Sequence, residues 1–274
     1  MLRCGAGFVM LGVAVDSVCK VPITRWREDR AEEMEDEVVR EIPLTIQVNG
    51  RELVTLLCSP VGLRELTFGF LLSEGILTPD EPRPEIEINE QGGYAQVTLA
   101  RELAPELGLA WSRLVGSGCA ASASFYRAAD AEQAKVIQSR MKVSRPVIWS
   151  LMKTFQARSE LYRRTGGVHA AGLATPAGEM VAFAEDIGRH NALDRLIGDA
   201  FLRGRTLRDS ILLTSGRVSS EIVVKSAKAQ FPVLVSRAAP TDLAVLLARK
   251  LEMTLVGFVR GQRLNVYAAA ERIQ

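Results

Sequence analysis

The stretch SILLTSGRVSSEIVVKSAKAQFPVLVS, residues 210–236, decides the fold of this chain. Two short aliphatic runs, 210–214 and 232–236, have the composition of buried strands, and the segment between them, 219–229, has helical periodicity. A strand, a helix and a second strand in this order form a crossover that makes the two strands parallel. The stretch therefore predicts an α/β domain.

The same alternation of strand and helix extends on both sides of this stretch. The remaining elements predicted there are strands at 168–174, 179–184, 254–259 and 264–268 and helices at 189–202 and 241–251. Together they predict a three-layer α/β domain with largely parallel strands.

A hairpin is predicted earlier in the chain. PLTIQVNG (43–50) and RELVTLLC (51–58) meet at Asn49-Gly50, a dipeptide typical of a type I′ turn between two strands. We interpret Cys58, on the second strand, as a core residue, because a buried thiol behaves as a small apolar side chain.

Apolar spacing and turn residues predict the elements that follow the hairpin. They are a helix over 63–77 with Gly75 near its end, a loose pair of strands around 84–100, a helix through 128–142 and another helix starting at Pro146. The first part of the chain is therefore expected to be an α+β subdomain.

The chain divides into three predicted segments. Residues 26–41 are so rich in charge that we interpret them as a solvated lead-in, with regular structure starting after it. The division is then a variable N-terminal extension at 1–37, an α+β subdomain at 38–118, and an α/β domain at 119–274 with a reactive loop at its start.

Charge is distributed unevenly along the chain. Residues 1–140 hold 14 Lys and Arg against 21 Asp and Glu, whereas residues 141–274 hold 20 against 11, a net charge of +9. The second half is therefore where an anionic ligand is expected. With 6% aromatic residues and no Lys or Arg run, the composition favours a small polyphosphate over nucleic acid.

The four cysteines, at positions 4, 19, 58 and 119, contain no CxxC pair, so neither a zinc site nor a redox dithiol is expected from near neighbours. An apolar run from Ala6 to Val15 is closed by Asp16 without a typical cleavage site, and no uncharged run reaches membrane-spanning length. We expect free thiols, no membrane segment and a cytoplasmic location.

Loops at the carboxyl ends of the predicted strands contain the residues suited to chemistry, because ligands of α/β sheets bind at that edge. These loops are AEDIGRHN (184–191), TSGRVSSE (214–221), RAAPTD (237–242) and GFVRGQR (257–263). Gly, Ser and Arg recur in them, as expected for a crevice that binds an anion.

The segment EDIGRHNALDRLIG, 185–198, predicts a helix whose start Asp186 or Gly188 caps. Arg189 and His190 then fall in the first turn, where the positive end of the helix dipole disfavours cations, unless an anion is bound. His190 and Asp194 are four residues apart on one helix face, which predicts either a carboxylate that orients the imidazole or a plain surface ion pair.

Three further positions are candidates with a simpler alternative. His169 follows Gly166-Gly167 and is either a ligand contact or a structural histidine. Ser215-Gly216-Arg217 precedes a helix capped by Ser219 and has the form of an anion-binding loop. Arg260-Gly261-Gln262-Arg263 is either an exposed hairpin turn or a clamp for a pyrophosphate.

Cys119 lies in GSGCAASAS, where only small residues surround the sulfur. Such a loop allows a thiolate to move between a sulfur donor and an acceptor, and persulfide transfer requires an accessible thiolate. A reactive role for Cys119 is therefore one of two open interpretations, the other being an unreactive loop cysteine.

Together these motifs resemble a known family, the formate dehydrogenase accessory sulfurtransferases. The resemblance runs through roughly residues 38–268, and the segments that carry it are EIPLTIQVNGRELVTLLCSP, LTFGFLLSEGIL, TGGVHAAGL, EDIGRHNALDRLIG, SGRVSSEIVVKSA, APTDLAV and LTLVGFVRGQRLNVY. It implies a cytidine-deaminase-like α/β fold with an added N-terminal subdomain, and a homodimer. It also implies that sulfur passes as a persulfide from a cysteine desulfurase to the molybdenum bis(molybdopterin guanine dinucleotide) of the formate dehydrogenase catalytic subunit.

The resemblance also implies roles for particular residues. Cys119 matches the persulfide cysteine, and the cofactor-binding stretch matches Phe258, Val259, Arg260, Gly261, Gln262 and Arg263. The segments that look like the rest of the cofactor pocket contain His169, Asp186, Gly188, Arg189, His190, Asn191, Asp194, Ser215, Gly216, Arg217 and Ser219. Many members carry CGxCG, whereas here Cys119 is followed by Ala-Ala-Ser, so a second thiol is missing from this loop.

Two other functions compete with sulfur transfer. A zinc-dependent deaminase needs H-x-E and P-C-x-x-C, but His169 is followed by two alanines and no PCxxC is present. A chaperone that only holds the guanine dinucleotide cofactor would use every anion-binding feature equally well, and only Cys119 separates it from a sulfurtransferase.

Overall fold

The structure is a computed structural model that describes residues 16–102, 113–115 and 135–274. Within these ranges the chain forms thirteen strands and six α-helices. The strands form three sheets, of two, five and six strands. The chain is thus α/β, as predicted, and the predicted boundary between residues 118 and 119 lies outside the described residues.

The charged segment near the N-terminus is a β-hairpin and not a lead-in. Strands β1 (Val18–Arg27) and β2 (Arg30–Val39) pair antiparallel along their whole length. The acidic side chains of β2 stay in solvent because the ribbon has only two strands, while Val18 and Val39 at its base pack on Leu161 and Val168. The prediction that structure starts after residue 41 is therefore wrong.

The five-stranded sheet follows the predicted α+β pattern. Its strands are β3 (Ile42–Val48), β4 (Arg51–Cys58), β5 (Glu85–Asn89), β6 (Tyr94–Thr98) and β7 (Arg113–Val115), in the order β5-β6-β3-β4-β7. Asn49 and Gly50 both have positive φ, as a type I′ turn requires. Helix α1 (Leu63–Glu74) packs on this sheet and ends at Gly75 in the left-handed conformation.

The six-stranded sheet confirms the predicted elements of the C-terminal part but not their direction. Its strands are β8 (His169–Ala174), β9 (Met180–Asp186), β10 (Ile211–Thr214), β11 (Val233–Ser236), β12 (Thr254–Arg260) and β13 (Arg263–Ala268), in the order β13-β12-β11-β10-β8-β9. Only the neighbours β10–β11 and β11–β12 pair in parallel, whereas β10–β8, β8–β9 and β12–β13 pair antiparallel. The sheet is mixed because hairpins, and not crossovers, add its outer strands.

Helices cover both faces of the six-stranded sheet. They are α2 (Arg145–Arg158), α3 (Glu160–Thr165), α4 (Arg189–Leu202), α5 (Ser220–Lys228) and α6 (Asp242–Lys250), and a 3-10 turn lies at Ala270–Arg272. Ile211 and Leu213 of β10 pack with α2, whereas Leu212 between them packs with α4 and α5. This alternation produces the three predicted layers.

The predicted helix through 128–142 is wrong in its described part. Residues 135–142 are irregular, and residues 128–134 lie outside the described residues. The segment is held by tertiary contacts instead, because the backbone N–H of Ile137 donates to Leu251 and the side chain of Arg272 donates to the carbonyls of Ile137 and Ser139.

Two glycines bring the N-terminal sheet and the α/β layers into close contact. A Cβ on Gly69 of α1 would lie 1.6 Å from the carbonyl oxygen of Asp194, and a Cβ on Gly198 of α4 would lie 1.9 Å from that of Glu65. The backbones of α1 and α4 therefore touch directly. This crossing fixes the start of α4 relative to the N-terminal sheet.

Candidate functional site

The predicted loops lie together at one edge of the six-stranded sheet. The parallel strands β10, β11 and β12 end there, and β8 begins there because Ala171 pairs with Thr214. His169 pairs with Asp186, so β9 ends at the same edge. We call this the carboxyl edge.

Backbone hydrogen bonds join neighbouring loops of the carboxyl edge. The N–H of Val218 donates to Ala239 at 3.0 Å, and the N–H of Thr241 donates back to Val218 at 2.9 Å. Next along the edge, the N–H of Phe258 donates to Ala238 at 3.1 Å. The loops that follow β10, β11 and β12 therefore form one continuous surface.

His169, Ser215, Gly216 and Arg189 form the centre of the edge. Nδ1 of His169 lies 3.4 Å from Oγ of Ser215, which accepts the N–H of Ala170 at 2.9 Å. A Cβ on Gly216 would lie 3.1 Å from Cβ and Cδ of Arg189 and 3.5 Å from His169 Nδ1. The missing side chain of Gly216 thus allows Arg189 to approach closely, and the sequence-predicted cluster is assembled here.

Helix α4 begins as predicted, with Gly188 as N-cap and Arg189 and His190 in the first turn. Burial lowers the pKa of His169, and the nearby charge of Arg189 lowers it further. Burial, Lys225 and Arg189 hold the pKa of His190 well below its usual range. Both imidazoles are therefore neutral near pH 7, and the helix start carries only the charge of Arg189.

Ser219 is the N-cap residue of α5, as predicted, but its side chain makes no capping hydrogen bond. Its hydroxyl oxygen is buried and meets no hydrogen-bond partner in the described part of the chain. Buried hydroxyls are nearly always paired. An oxyanion held at the start of α5 would supply the missing partner and suit the helix dipole.

The hairpin between β12 and β13 extends past the ends of β10 and β11. Phe258 has φ 53, an unusual value for a residue with a bulky side chain, beside a register shift between Gly257 and Arg260. The guanidinium of Arg260 lies 5.6 Å from the Phe258 ring centroid. Gly261 (φ 57) and Gln262 form the two-residue turn, so Arg260 and Arg263 face each other as exposed cations. Val259 is fully buried in the core and cannot contact a ligand.

Asp186 and Asn191 belong to a buried network and not to the ligand surface. Asp186 is 0% exposed and accepts from the backbone of Ser59 at 3.1 Å, from Gly188 at 2.9 Å and from Asn191 Nδ2 at 3.0 Å. It also pairs with Arg195 at 2.6 Å. The expected direct ligand contact by Asp186 and Asn191 is corrected accordingly: they position the loop that carries Gly188 and Arg189.

The predicted pair of His190 and Asp194 is not formed. Asp194, 1% exposed, pairs with Lys225 at 2.6 Å and accepts from Oγ of Ser73 at 2.7 Å. Nε2 of His190 instead lies 3.3 Å from a carboxylate oxygen of Glu221. His190 and Asp194 both contact side chains of α5, because α5 packs against that face of α4. Asp194 is buried and therefore does not contact a ligand.

Comparison with known proteins identifies the family of this chain. A model of the FdhD/NarQ family matches residues 39–274. The chain belongs to the FdhD/NarQ family. It is 43% identical over 241 residues to a sulfur carrier protein FdhD of Halalkalibacterium halodurans, covering 87% of this chain and 89% of the relative. It is 42% identical over 251 residues to that of Bacillus pumilus, covering 92% and 95%.

The family also extends to a solved structure. A crystal structure from Desulfotalea psychrophila, which carries the name of a formate dehydrogenase accessory protein, superposes with a TM-score of 0.78 at 29% identity. The superposition covers 94% of this chain and 100% of the other. The solved structure therefore shares the overall fold of this chain.

Sequence reasoning missed several residues of this FdhD/NarQ chain that shape the site. Arg195 and Lys225 are charged yet almost wholly buried, and each holds an aspartate behind the carboxyl edge. Arg237 is exposed at the end of β11, beside Ser236, whose hydroxyl donates to the carbonyl of Gly216 at 2.8 Å. A charged residue within the apolar stripe of a helix was the available signal for the first two.

Two of the four cysteines of this FdhD/NarQ chain, Cys19 and Cys58, lie among the described residues. Cys58 is fully buried, and burial next to Asp186 raises its pKa to about 12, which confirms it as a core residue. Cys119 lies outside the described residues. Among the residues that the structure describes, no group of three His, Cys, Asp or Glu is placed to hold a metal, and no helix is long and apolar enough to cross a membrane.

Proposed function

We propose that this protein carries sulfur as a persulfide on Cys119, from a cysteine desulfurase to the molybdenum bis(molybdopterin guanine dinucleotide) cofactor of formate dehydrogenase. The observation that carries the proposal is the carboxyl edge, where arginines and a buried, unpartnered serine hydroxyl gather in a family whose curated members are named sulfur carriers. We further propose that it acts as a cytoplasmic homodimer with a cytidine-deaminase-like α/β fold.

The carboxyl edge suits the diphosphate groups of a guanine dinucleotide, which is bound here as substrate. Ser219 and the start of α5 offer donors for one phosphate group, and Arg217 lies exposed in the same loop. Arg260 and Arg263 add two guanidinium groups whose planar forks match phosphate oxygens. Guanine nucleotides are therefore expected to bind in place of the whole cofactor.

Sulfur loading requires only one cysteine in the carrier. The thiolate of Cys119 attacks the outer sulfur of the donor's persulfide, a new S–S bond forms on Cys119, and the donor cysteine leaves as a thiolate. One thiolate acts alone because the loop lacks a second cysteine.

A cofactor chaperone is the second candidate. It is favoured by one observation: the features assembled at the carboxyl edge are all binding features, and none of them breaks or forms a bond. Under this alternative, the protein holds the dinucleotide and docks it on apo-formate dehydrogenase, and Cys119 is dispensable.

Mass spectrometry separates the two candidates. After incubation with a cysteine desulfurase and free cysteine, we expect the mass of one added sulfur atom on the peptide that contains Cys119. Cys119→Ala is expected to abolish both this mass and the maturation of formate dehydrogenase, whereas Cys19→Ala, a half-exposed cysteine of β1, is the matched control and keeps both. Full maturation with Cys119→Ala would rule out sulfur transfer and leave the chaperone.

A further inference from the structure

An open cavity of about 530 Å³ lies on the outer side of β9, next to the carboxyl edge. Its walls come from the start of α1, the helix α3, the strand β9 and the helix α4. Cavities of this volume accommodate a small molecule or a few residues of peptide. The proposed function uses none of it.

The cavity exposes the edge of a β-sheet, because β9 is the last strand of its sheet. Ala170 and Gly172 of β8 face β10, so their partners on β9, Glu185 and Phe183, turn their backbone groups outward. The carbonyl of Glu185 is covered by Arg195 at 2.7 Å, and that of Val181 is covered by Arg205. Between these two covers, the N–H and C=O of Phe183 meet no partner among the described residues.

The walls of the cavity are acidic. Four carboxylates line it, those of Glu65, Glu160, Glu185 and Asp199, against the two guanidinium groups of Arg164 and Arg195.

The two arginines in this lining do not neutralise these carboxylates. Arg164 is engaged by Glu37 at 2.7 Å, and Arg195 is engaged by Asp186 at 2.6 Å. Neither of those carboxylates lines the cavity. The cavity is therefore negative overall.

The four carboxylates differ in whether they already have a hydrogen-bond or ion-pair partner. Glu185 accepts the N–H groups of Leu161 and Tyr162, and Asp199 pairs with Arg203 at 2.5 Å. Glu65 and Glu160 have no ion pair within the described part of the chain. These two carboxylates therefore remain available to a cationic ligand, and Phe183 lines the same cavity.

We propose that this cavity binds an extended, basic peptide segment of a partner protein, which adds as a short strand to the outer edge of β9. The backbone of the segment pairs with the N–H and C=O of Phe183, and its Lys or Arg side chains meet Glu65 and Glu160. Strand addition uses the outward backbone groups of Phe183, which lie between the two arginine-covered carbonyls. The inference does not depend on sulfur transfer.

A partner docked on β9 lies close to the carboxyl edge. Strand β9 runs from the cavity to Asp186, which holds the loop of Gly188 and Arg189 at the carboxyl edge. A partner docked on β9 is thus placed beside the edge without covering it. The rest of the partner protein can then reach the carboxyl edge.

Fluorescence anisotropy with synthetic peptides tests the proposal on the full chain. The probe is a labelled hexapeptide of alternating Lys and Val, and its counterpart of alternating Glu and Val is the control. We expect the basic peptide to bind and the acidic peptide not to bind. Glu65→Gln together with Glu160→Gln should weaken binding about fivefold, as expected for two solvent-accessible ion pairs.

A pair of variants at one position isolates the backbone contact. Phe183→Pro removes the outward N–H, whereas Phe183→Ala keeps it, and both variants lose the ring that packs on Phe155. We expect binding to be about fivefold weaker in Phe183→Pro than in Phe183→Ala, the effect of one lost hydrogen bond. In the unaltered protein, the peptide should slow hydrogen exchange at the Phe183 amide.

Each contrary result overturns the proposal. These results are equal binding of the acidic and basic peptides, equal affinity of the two Phe183 variants, or unchanged exchange of the Phe183 amide at saturating peptide. Occupation by a second copy of the chain would instead appear as a concentration-dependent molar mass that falls in the Glu65→Gln, Glu160→Gln variant. The exchange measurement needs no variant, so a folding defect cannot obscure the answer.

Discussion

The first and second turns of α4 differ in how their polar groups are satisfied. At the carboxyl edge, Arg189 and His190 stand at the helix end that disfavours cations, next to an unpartnered Ser219 hydroxyl. One turn later, Asp194 and Arg195 are buried and tightly paired. The second turn thus holds the molecule together, whereas the first turn lies beside a hydroxyl that still lacks a hydrogen-bond partner among the described residues.

The largest effect is expected from breaking the buried network. Lys225→Met leaves Asp194 and Glu74 as uncompensated buried carboxylates, 2.6 and 3.0 Å from the former ammonium. We expect the free energy of unfolding to fall by about 4 kcal/mol, as measured by urea denaturation. Lys250→Met, at the exposed end of α6, should cost less than about 1 kcal/mol. Equal losses in the two variants would contradict the distinction.

The next effect is expected from separating α1 and α4. Gly69→Ala places a methyl group where the carbonyl of Asp194 lies, and the helices must move apart. We expect a loss of about 3 kcal/mol in thermal or urea unfolding. Gly50→Ala is the control, because open space surrounds that hairpin residue and only its left-handed backbone costs about 1 kcal/mol. A smaller loss at Gly69 than at Gly50 would refute the tight crossing.

Variants at the carboxyl edge should affect binding and leave stability nearly unchanged. Arg189→Ala and Arg263→Ala are each expected to weaken guanine nucleotide binding about tenfold in calorimetry, since each removes a charge-assisted hydrogen bond. Arg208→Ala is the matched control: this exposed arginine precedes β10 and lies at the opposite edge of the sheet. An affinity that is unchanged in Arg189→Ala and Arg263→Ala would place the nucleotide elsewhere.

The smallest effect is a pH dependence that arises at the same edge. His190 has a pKa below its unfolded value, so its contribution to stability is complete above about pH 6.5 and is lost as the pH falls toward the folded pKa. The slope is at most about 1.4 kcal/mol per pH unit for this group. In His190→Gln, the midpoint of urea denaturation should change less between about pH 7.5 and 5.5, a range centred on the ordinary histidine pKa. An unaltered pH profile would mean that His190 is not held neutral.

Local pattern predicted most of the elements, including α4 at 189–202, because apolar spacing and glycine positions depend only on neighbouring residues. It did not predict strand direction, since β8 and β9 have the same composition whether they join the sheet by a hairpin or by a crossover. The β1 and β2 ribbon was missed for a related reason: a two-stranded sheet buries so little that its residues keep the composition of a solvated segment.

The sequence predicted which loops form the candidate site, but it did not predict which side chains pair with one another. Spacing along one helix proposed that His190 and Asp194 pair, but the partners that each one finds, Glu221 and Lys225, come from another helix. Burial of Asp186 and Val259 likewise follows from the packing of distant segments, which spacing within one loop does not contain.

The hydrogen bond from Ser59 to Asp186 joins residues that are 127 positions apart. At about 10 residues per second, a ribosome needs on the order of ten seconds to synthesise the chain between them. During that interval the N-terminal sheet has formed its local hairpin but has neither α4 to cover Gly69 nor a carboxylate to meet Ser59. The contacts between the N-terminal sheet and α4 can therefore form only late in synthesis, after the second half of the chain has been made.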